Sequence, residues 1–251
     1  MKTISVPSEK GDLVVCQSGQ ELGYQAARFF VQETAPAVRR AGVFYIALSG
    51  GSTPEVMYHA LAGPEFRDQV PWAQGEYFWS DERCVPPDHP DSNYGLAERT
   101  LLSKVPVPRE RVHRMRGELD PERAAAECEQ ELRRVFQAEE LSIPQFDLIL
   151  LGLGDDGHTA SLFPGSPALA ENRRLVAANY VKKFNVHRLS FTLPLINAAR
   201  NVAFLVSGEK KAPALQQIMR GGGTPVPAEE VHPTNGKLTW FVDEAAAARL
   251  E

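Results

Sequence analysis

The sequence predicts an α/β domain in which a mostly parallel sheet is covered by helices on both faces. Two patterns predict it. Short apolar runs alternate with longer segments of helical period, the order that successive βα units leave in a chain. The runs are continuously apolar rather than alternating, as strands buried on both faces require. The clearest are Val43–Leu48, Glu76–Trp79, Phe146–Leu151, Val202–Val206 and Leu238–Val242; Leu13–Cys16, Leu175–Ala178 and Arg188–Thr192 are weaker candidates. Helices are expected at about Gly19–Arg40, Pro54–Leu61, Tyr94–Leu102, Pro121–Glu139 and Glu209–Met219. Asp120-Pro121-Glu122 places a capping side chain before a proline at the first helical position, a strong start signal. The stretch from Gly221 to Pro227 reads as a loop, but elements resume after it and no repeat or low-complexity tract divides the chain. Residues 1–251 are read as one domain.

A chain of 251 residues buries roughly three quarters of its unfolded surface and needs no staples. Its net charge of −5 argues against nucleic acid as a partner, which wants a basic face. An anionic small molecule would need a local island of Arg, Lys and backbone N–H groups. Cys16, Cys84 and Cys128 are odd in number and widely spaced, which fits reduced thiols better than a disulfide framework. No charged-then-apolar leader opens the sequence, and no apolar run nears the ~18 residues of a membrane span. The expectation is a cytoplasmic protein and, with no apolar stripe evident, a monomer.

The residues that carry chemistry cluster where strands are expected to end. Ser49-Gly50-Gly51-Ser52-Thr53-Pro54 follows the first clear strand. Two glycines permit a sharp turn with N–H groups facing inward; Ser or Thr then caps a helix whose first turn accepts Pro54. Such a corner suits a phosphate, although a plain tight turn needs the same glycines. It lacks the Gly-Lys-Ser/Thr ending of a Walker loop. Ser80-Asp81-Glu82-Arg83 follows the next strand, with Asp88, Asp91, Ser92 and Asn93 soon after. By itself this is a solvated charged turn; at a strand's carboxyl end, Asp81 and Arg83 would hold sugar hydroxyls and an anionic group.

Gly152-Leu153-Gly154-Asp155-Asp156-Gly157-His158 contains a formal G-x-G-x-x-G. Two carboxylates would face the pyrophosphate, Pro164-Gly165 would break the required helix, and no acid stands about 20 residues on. A nicotinamide cofactor is therefore not expected. What remains is a histidine on a glycine-rich turn at a strand end, with Asp155 or Asp156 to orient it, which suits acid/base work near neutrality. Arg188 and the Lys210-Lys211 pair add cations near a strand end or helix start, where a bound anion would relieve the conflict with the helix dipole. There is no G-x-S-x-G elbow, no H-E-x-x-H, and no metal-ligand spacing among the other histidines.

Taken together, the sequence resembles the 6-phosphogluconolactonase family. The resemblance rests on ALSGGSTP (Ala47–Pro54), SDERCVPPDHPDSNYG (Ser80–Gly95), LGLGDDGHTASLFPG (Leu151–Gly165), RLSFTLPLIN (Arg188–Asn197), VSGEKKAPAL (Val206–Leu215) and LTWFVDEAAA (Leu238–Ala247), in order. It implies a Rossmann-like three-layer α/β sandwich, no metal or organic cofactor, and a phosphorylated sugar lactone as substrate. By the same resemblance His158 is the general base; from the residues themselves Asp156 is read as the partner that fixes its tautomer, with Asp155 still open. Gly50, Gly51, Ser52, Arg83, Arg188 and Lys211 would surround phosphate and sugar, and Asp81 would lie near the sugar. The Gly-x-x-Lys spacing favours Lys211 over Lys210.

Glucosamine-6-phosphate deaminases resemble the chain in the same loops. After Asp-Gly-His they continue Ile-Ala-Phe-Asn-Glu-Pro, with a glutamate that assists ring opening. Here Thr159-Ala160-Ser161-Leu162-Phe163-Pro164 puts an apolar Phe163 in its place, which favours the lactonase. A catalytically silent sugar-phosphate sensor on the same fold is the third reading.

Overall fold

The computed structural model describes residues 10–250. Its strands are β1 (Asp12–Cys16), β2 (Phe44–Leu48), β3 (Gly75–Trp79), β4 (Asp81–Arg83), β5 (Leu148–Gly152), β6 (Val176–Val181), β7 (Val186–Phe191), β8 (Asn201–Val206) and β9 (Lys237–Asp243). Six of them form a wholly parallel sheet in the order β1-β9-β8-β5-β2-β3. The other three form a small antiparallel sheet, β4-β7-β6. The helices are α1 (Gly19–Ala41), α2 (Ser52–Ala62), α3 (Asn93–Thr100), α4 (Pro121–Phe136), α5 (Leu193–Asn197), α6 (Ala212–Arg220) and α7 (Glu244–Ala247).

The three layers follow from alternation along each parallel strand. Phe44, Ile46 and Leu48 of β2 and Leu148 and Leu150 of β5 point to one side, where they pack with Leu22 and Phe30 of α1 and Met57 and Tyr58 of α2. Ile149 and Leu151 of β5, with Phe204 and Trp240, point to the other, against Leu132 of α4, Leu215 and Ile218 of α6, and Leu189 and Phe191 of the small sheet. Both faces are thus removed from water, which is why the strands read as unbroken apolar runs. The Phe204 and Trp240 rings stack at 3.8 Å between centroids.

Helix ends differ from expectation where the backbone dictates. α4 starts as foreseen, with the Asp120 side chain accepting from Arg123 N, but stops at Phe136 because Gln137 adopts a left-handed φ of 51°. Residues 209–211 form a 3₁₀ turn, and α6 proper begins only at Ala212. α5 and α7, with five and four residues, are too short for a periodic pattern to announce them. Among the described residues no helix is long and apolar enough to cross a membrane.

Candidate active site

β8, β5, β2 and β3 are successive neighbours in the sheet, so the loops leaving their carboxyl ends stand side by side. From β2 the chain moves outward to β3; from β5 it moves the other way, to β8 and β9. The reversal between β2 and β5 is a topological switch point, where an open α/β sheet leaves a crevice. The glycine loop and the His158 loop flank it.

Gly51 has φ of 106°, a conformation that side chains resist, and it occupies the N-cap of α2. A Cβ on Gly50 would lie 1.7 Å from Asn93 Oδ1. Ser49 is clamped by Tyr58, whose hydroxyl accepts from Ser49 N (3.1 Å) and donates to Ser49 O (2.5 Å). The expected Ser or Thr cap is corrected here. With glycine at the cap and Ser52 already helical, no side chain caps α2, so its first-turn N–H groups are left for another acceptor.

The segment after β3 is not a solvated turn. It forms β4, and Asp81 and Glu82 are buried. Glu82 is satisfied from the α3 end: Oε1 accepts from Arg83 N (2.7 Å) and Asn93 N (2.8 Å), Oε2 from Tyr94 N (2.8 Å) and Ser92 Oγ (3.1 Å). Burial still pushes its carboxyl above the ordinary value. Asp81 accepts from Asn93 Nδ2 (3.1 Å) on one oxygen and Ser161 Oγ (2.8 Å) on the other. It therefore braces the glycine loop's neighbour Asn93 against the segment just after His158.

Arg83 stands directly opposite Arg188 across the β4–β7 pair. Arg188 does not open its strand as expected; β7 begins at Val186 and pairs with β6 through that residue, making Arg188 its third member. Arg83 donates to Asp91 O (2.6 Å). The Nε atoms of both arginines are buried with no protein partner. Burial and, next, the Arg83 charge hold the Arg188 pKa below its ordinary value. Two adjacent cations with buried, unpartnered Nε donors have the chemistry to take up an anion.

After β5 the chain turns back on itself: Gly157 N donates to Gly154 O (3.0 Å) and Gly154 N to His158 O (2.8 Å). Gly157 has φ of 76°, and a Cβ on Gly154 would strike the His158 ring at 2.0 Å. The structure separates the two aspartates. His158 Nδ1 meets Asp156 Oδ1 at 2.5 Å, whereas Asp155 Oδ1 accepts from Lys211 Nζ at 2.5 Å. Burial raises the Asp156 pKa, but the bonds from His158 and Lys183 outweigh it and hold it at about 2. A carboxylate at Nδ1 favours, for the neutral ring, the tautomer with the proton on that nitrogen and the lone pair on Nε2. Phe163 stacks on the imidazole, centroids 4.0 Å apart at 23°.

Lys211 approaches from the turn after β8, while Lys210 is exposed. Three contributors were not legible beforehand. Glu82 anchors α3, Ser161 ties the histidine segment to Asp81, and Lys183 donates to Asp156 Oδ2 (3.1 Å) from the β6–β7 turn. Asp156 and Lys183, with Phe163, Tyr180 and Lys182, line a cavity of about 510 Å³. By contrast His113 is buried between Glu76 and Glu131, 2.7 Å from each, and packs on Phe78. Its task is to hold β3 to α4.

A strand-end crevice with an uncapped helix N-terminus, paired arginines and an Asp-oriented histidine defines an α/β protein built for an anionic small molecule. Residues 17–240 match the model of the family described as glucosamine-6-phosphate isomerases/6-phosphogluconolactonase, and the chain belongs to that family. It is 46% identical to a 6-phosphogluconolactonase of Synechocystis sp. over 85% of this chain and 88% of that protein. Against the 6-phosphogluconolactonase of Homo sapiens it is 42% identical, covering 96% of this chain and 94% of the relative. The structure of 6-phosphogluconolactonase from Trypanosoma brucei superposes with a TM-score of 0.85 at 28% identity, over 98% of this chain and 100% of that one.

Proposed function

We propose that this protein hydrolyses 6-phospho-D-glucono-1,5-lactone to 6-phosphogluconate, the lactone-opening step of the oxidative pentose phosphate pathway. The observation that carries the mechanism is the 2.5 Å contact of Asp156 with His158 Nδ1, which leaves Nε2 as the base. The phosphate is held by the N–H groups of Gly50, Gly51 and Ser52 and by the cations Arg83, Arg188 and Lys211, with Asp81 fixing the wall beside the sugar. Tethering the phosphate spends remote binding energy on placing C1 beside His158. Nε2 takes a proton from water as its oxygen attacks C1. The carbonyl electrons move onto oxygen, where backbone N–H groups or a cation stabilise them. As the tetrahedral intermediate collapses, the C1–ring-oxygen bond breaks and the imidazolium returns its proton to the departing oxygen.

The deciding experiment follows hydrolysis of freshly generated lactone with and without protein, subtracting the spontaneous rate. Acceleration is expected, and His158→Ala should reduce it by at least ~100-fold; equal rates with and without the wild-type protein would defeat the reading. Ammonia release from glucosamine 6-phosphate would instead favour the deaminase, a reaction that Phe163 disfavours by standing where a carboxylate is needed. Tight binding without turnover would favour a sensor. The free thiols of Cys16, Cys84 and Cys128 support a reducing, cytoplasmic setting. Action as a monomer is proposed with it, and light scattering at single-chain mass tests that.

A further inference from the structure

Two groups immobilise His158: Asp156 at the Nδ1 edge and Phe163 on the ring face. Both are met by one element, the turn between β6 and β7. Lys183 Nζ donates to Asp156 Oδ2 at 3.1 Å, and the Phe184 ring meets Phe163 nearly edge-on, 6.2 Å between centroids at 75°. The Lys183 ammonium also lies 5.4 Å from the centre of the Phe184 ring. The turn that carries them is itself ordered by bonds from Phe184 N to Val181 O (3.1 Å) and Asn185 N to Lys182 O (3.3 Å), by the left-handed Asn185 (φ 53°), and by Tyr180 donating to the Asn185 side chain.

We propose that Lys183 is a positioning residue: through Asp156 it fixes the orientation of the His158 ring, an inference that rests on His158 being the base. The geometry supplies the reason. Asp156 Oδ1 is shared between the backbone N–H (3.3 Å) and the ring Nδ1 (2.5 Å) of His158, both inside the same short loop. Oδ2 has Lys183 as its sole donor among the described residues. A carboxylate's terminal torsion is soft and roughly two-fold. Without Lys183 the group can swing, and the ring follows it. With Lys183 the loop is tied to a strand pair that also carries Arg188, so base and anion site share one frame. The opposing possibility is that this ammonium, 58% exposed, binds substrate phosphate directly.

The test is a cycle of Lys183→Met, Lys183→Arg, Asp156→Asn and the Lys183→Met/Asp156→Asn double variant, assayed for lactone hydrolysis. Lys183→Met should lower kcat by roughly threefold to tenfold with KM within about twofold, the loss expected when a reacting group is less well oriented. Lys183→Arg should restore most of the loss, and Lys183→Met should cost nothing more once Asp156 is Asn. A rise in KM that persists in the Asp156→Asn background would assign Lys183 to substrate binding and overturn the proposal, as would an unchanged kcat. A second readout needs no turnover. In the ¹⁵N-labelled protein the His158 Nδ1–H signal should broaden or shift in Lys183→Met and return in Lys183→Arg. An inactive wild type would refute lactone hydrolysis, whereas an unaltered ring signal in Lys183→Met would refute the positioning role alone.

Discussion

Arg83 and Arg188 face each other directly across the β4–β7 pair, and among the described residues no carboxylate pairs with either. Like charges placed opposite on a sheet oppose folding. If the two arginines hold the substrate phosphate, as proposed, that anion offsets the repulsion, together with the nearby carboxylates of Asp81, Asp91 and Glu82. Arg188→Met should therefore raise KM for the phosphorylated lactone at least about tenfold, the loss of a charge-assisted hydrogen bond. The melting temperature of the unliganded protein should hold or rise slightly. Calorimetry of both proteins with and without inorganic phosphate checks this. A destabilised Arg188→Met whose KM is unchanged would show the pair to be structural.

Gly154 leaves the space that the His158 ring fills. An added Cβ would stand 2.0 Å from Nδ1 and 2.2 Å from Cε1 of that ring, so Gly154→Ala must turn the imidazole or open the loop. The side chain can yield while the sheet does not move. Turnover should fall at least ~10-fold, as expected when a reacting group is displaced by about 1 Å. The far-ultraviolet circular dichroism should match wild type. Full activity in Gly154→Ala would mean that the observed ring position is not the working one.

These two sites also mark how far the sequence reads. The parallel core was legible because Leu148–Leu151 and Val202–Val206 are apolar at every position, and burial on both faces is the circumstance that demands it. The glycine loop and His158 were legible from their places after such strands. β4 was not. Asp81, Glu82 and Arg83 have the composition of a solvated turn, and what allows their burial is donated from elsewhere, by Asn93, Tyr94 and Ser161. The division of labour between Asp155 and Asp156 was only partly legible, with Asp156 favoured beside His158 and Asp155 left open. It depends on Lys211 and Lys183, which are 56 and 27 residues away in the chain. Distant donors leave no local pattern.

Three carboxylates contribute to the acid limit of stability. The Arg114 fork holds Glu118 at about 2; the Arg134 bond, with that of His113, holds Glu131 at about 2; and Asp156 is held at about 2 against its own burial. In each the native value lies below the unfolded one, near 4. The sign is therefore fixed: the contribution is complete above about pH 5 and is lost as pH falls toward 2. Asp156→Asn removes one of the three. Its melting temperature should lie below wild type at pH 7, with the gap narrowing by pH 3. A gap that stays constant between those two values would mean that Asp156 contributes through shape and not charge.

The surroundings of Phe163 bear on the choice between lactonase and deaminase in a way that side-chain type alone does not convey. It is 8% exposed and lies face to face with His158, 4.0 Å between centroids, with Phe184 at its edge. It walls the imidazole on that face, and by the sequence resemblance it stands where the deaminases carry their ring-opening glutamate. Phe163→Glu should consequently fail in both directions. Lactone turnover should drop roughly tenfold or more as the stack is lost and a charge is set beside the base. No ammonia should be released from glucosamine 6-phosphate, because the surrounding loop still positions the group for packing. Phe163→Leu keeps an apolar wall without the ring and should retain more lactonase activity than Phe163→Glu. Measuring both activities in both variants decides the matter. Ammonia release by Phe163→Glu would mean that this single residue had been withholding deaminase chemistry from an otherwise complete site.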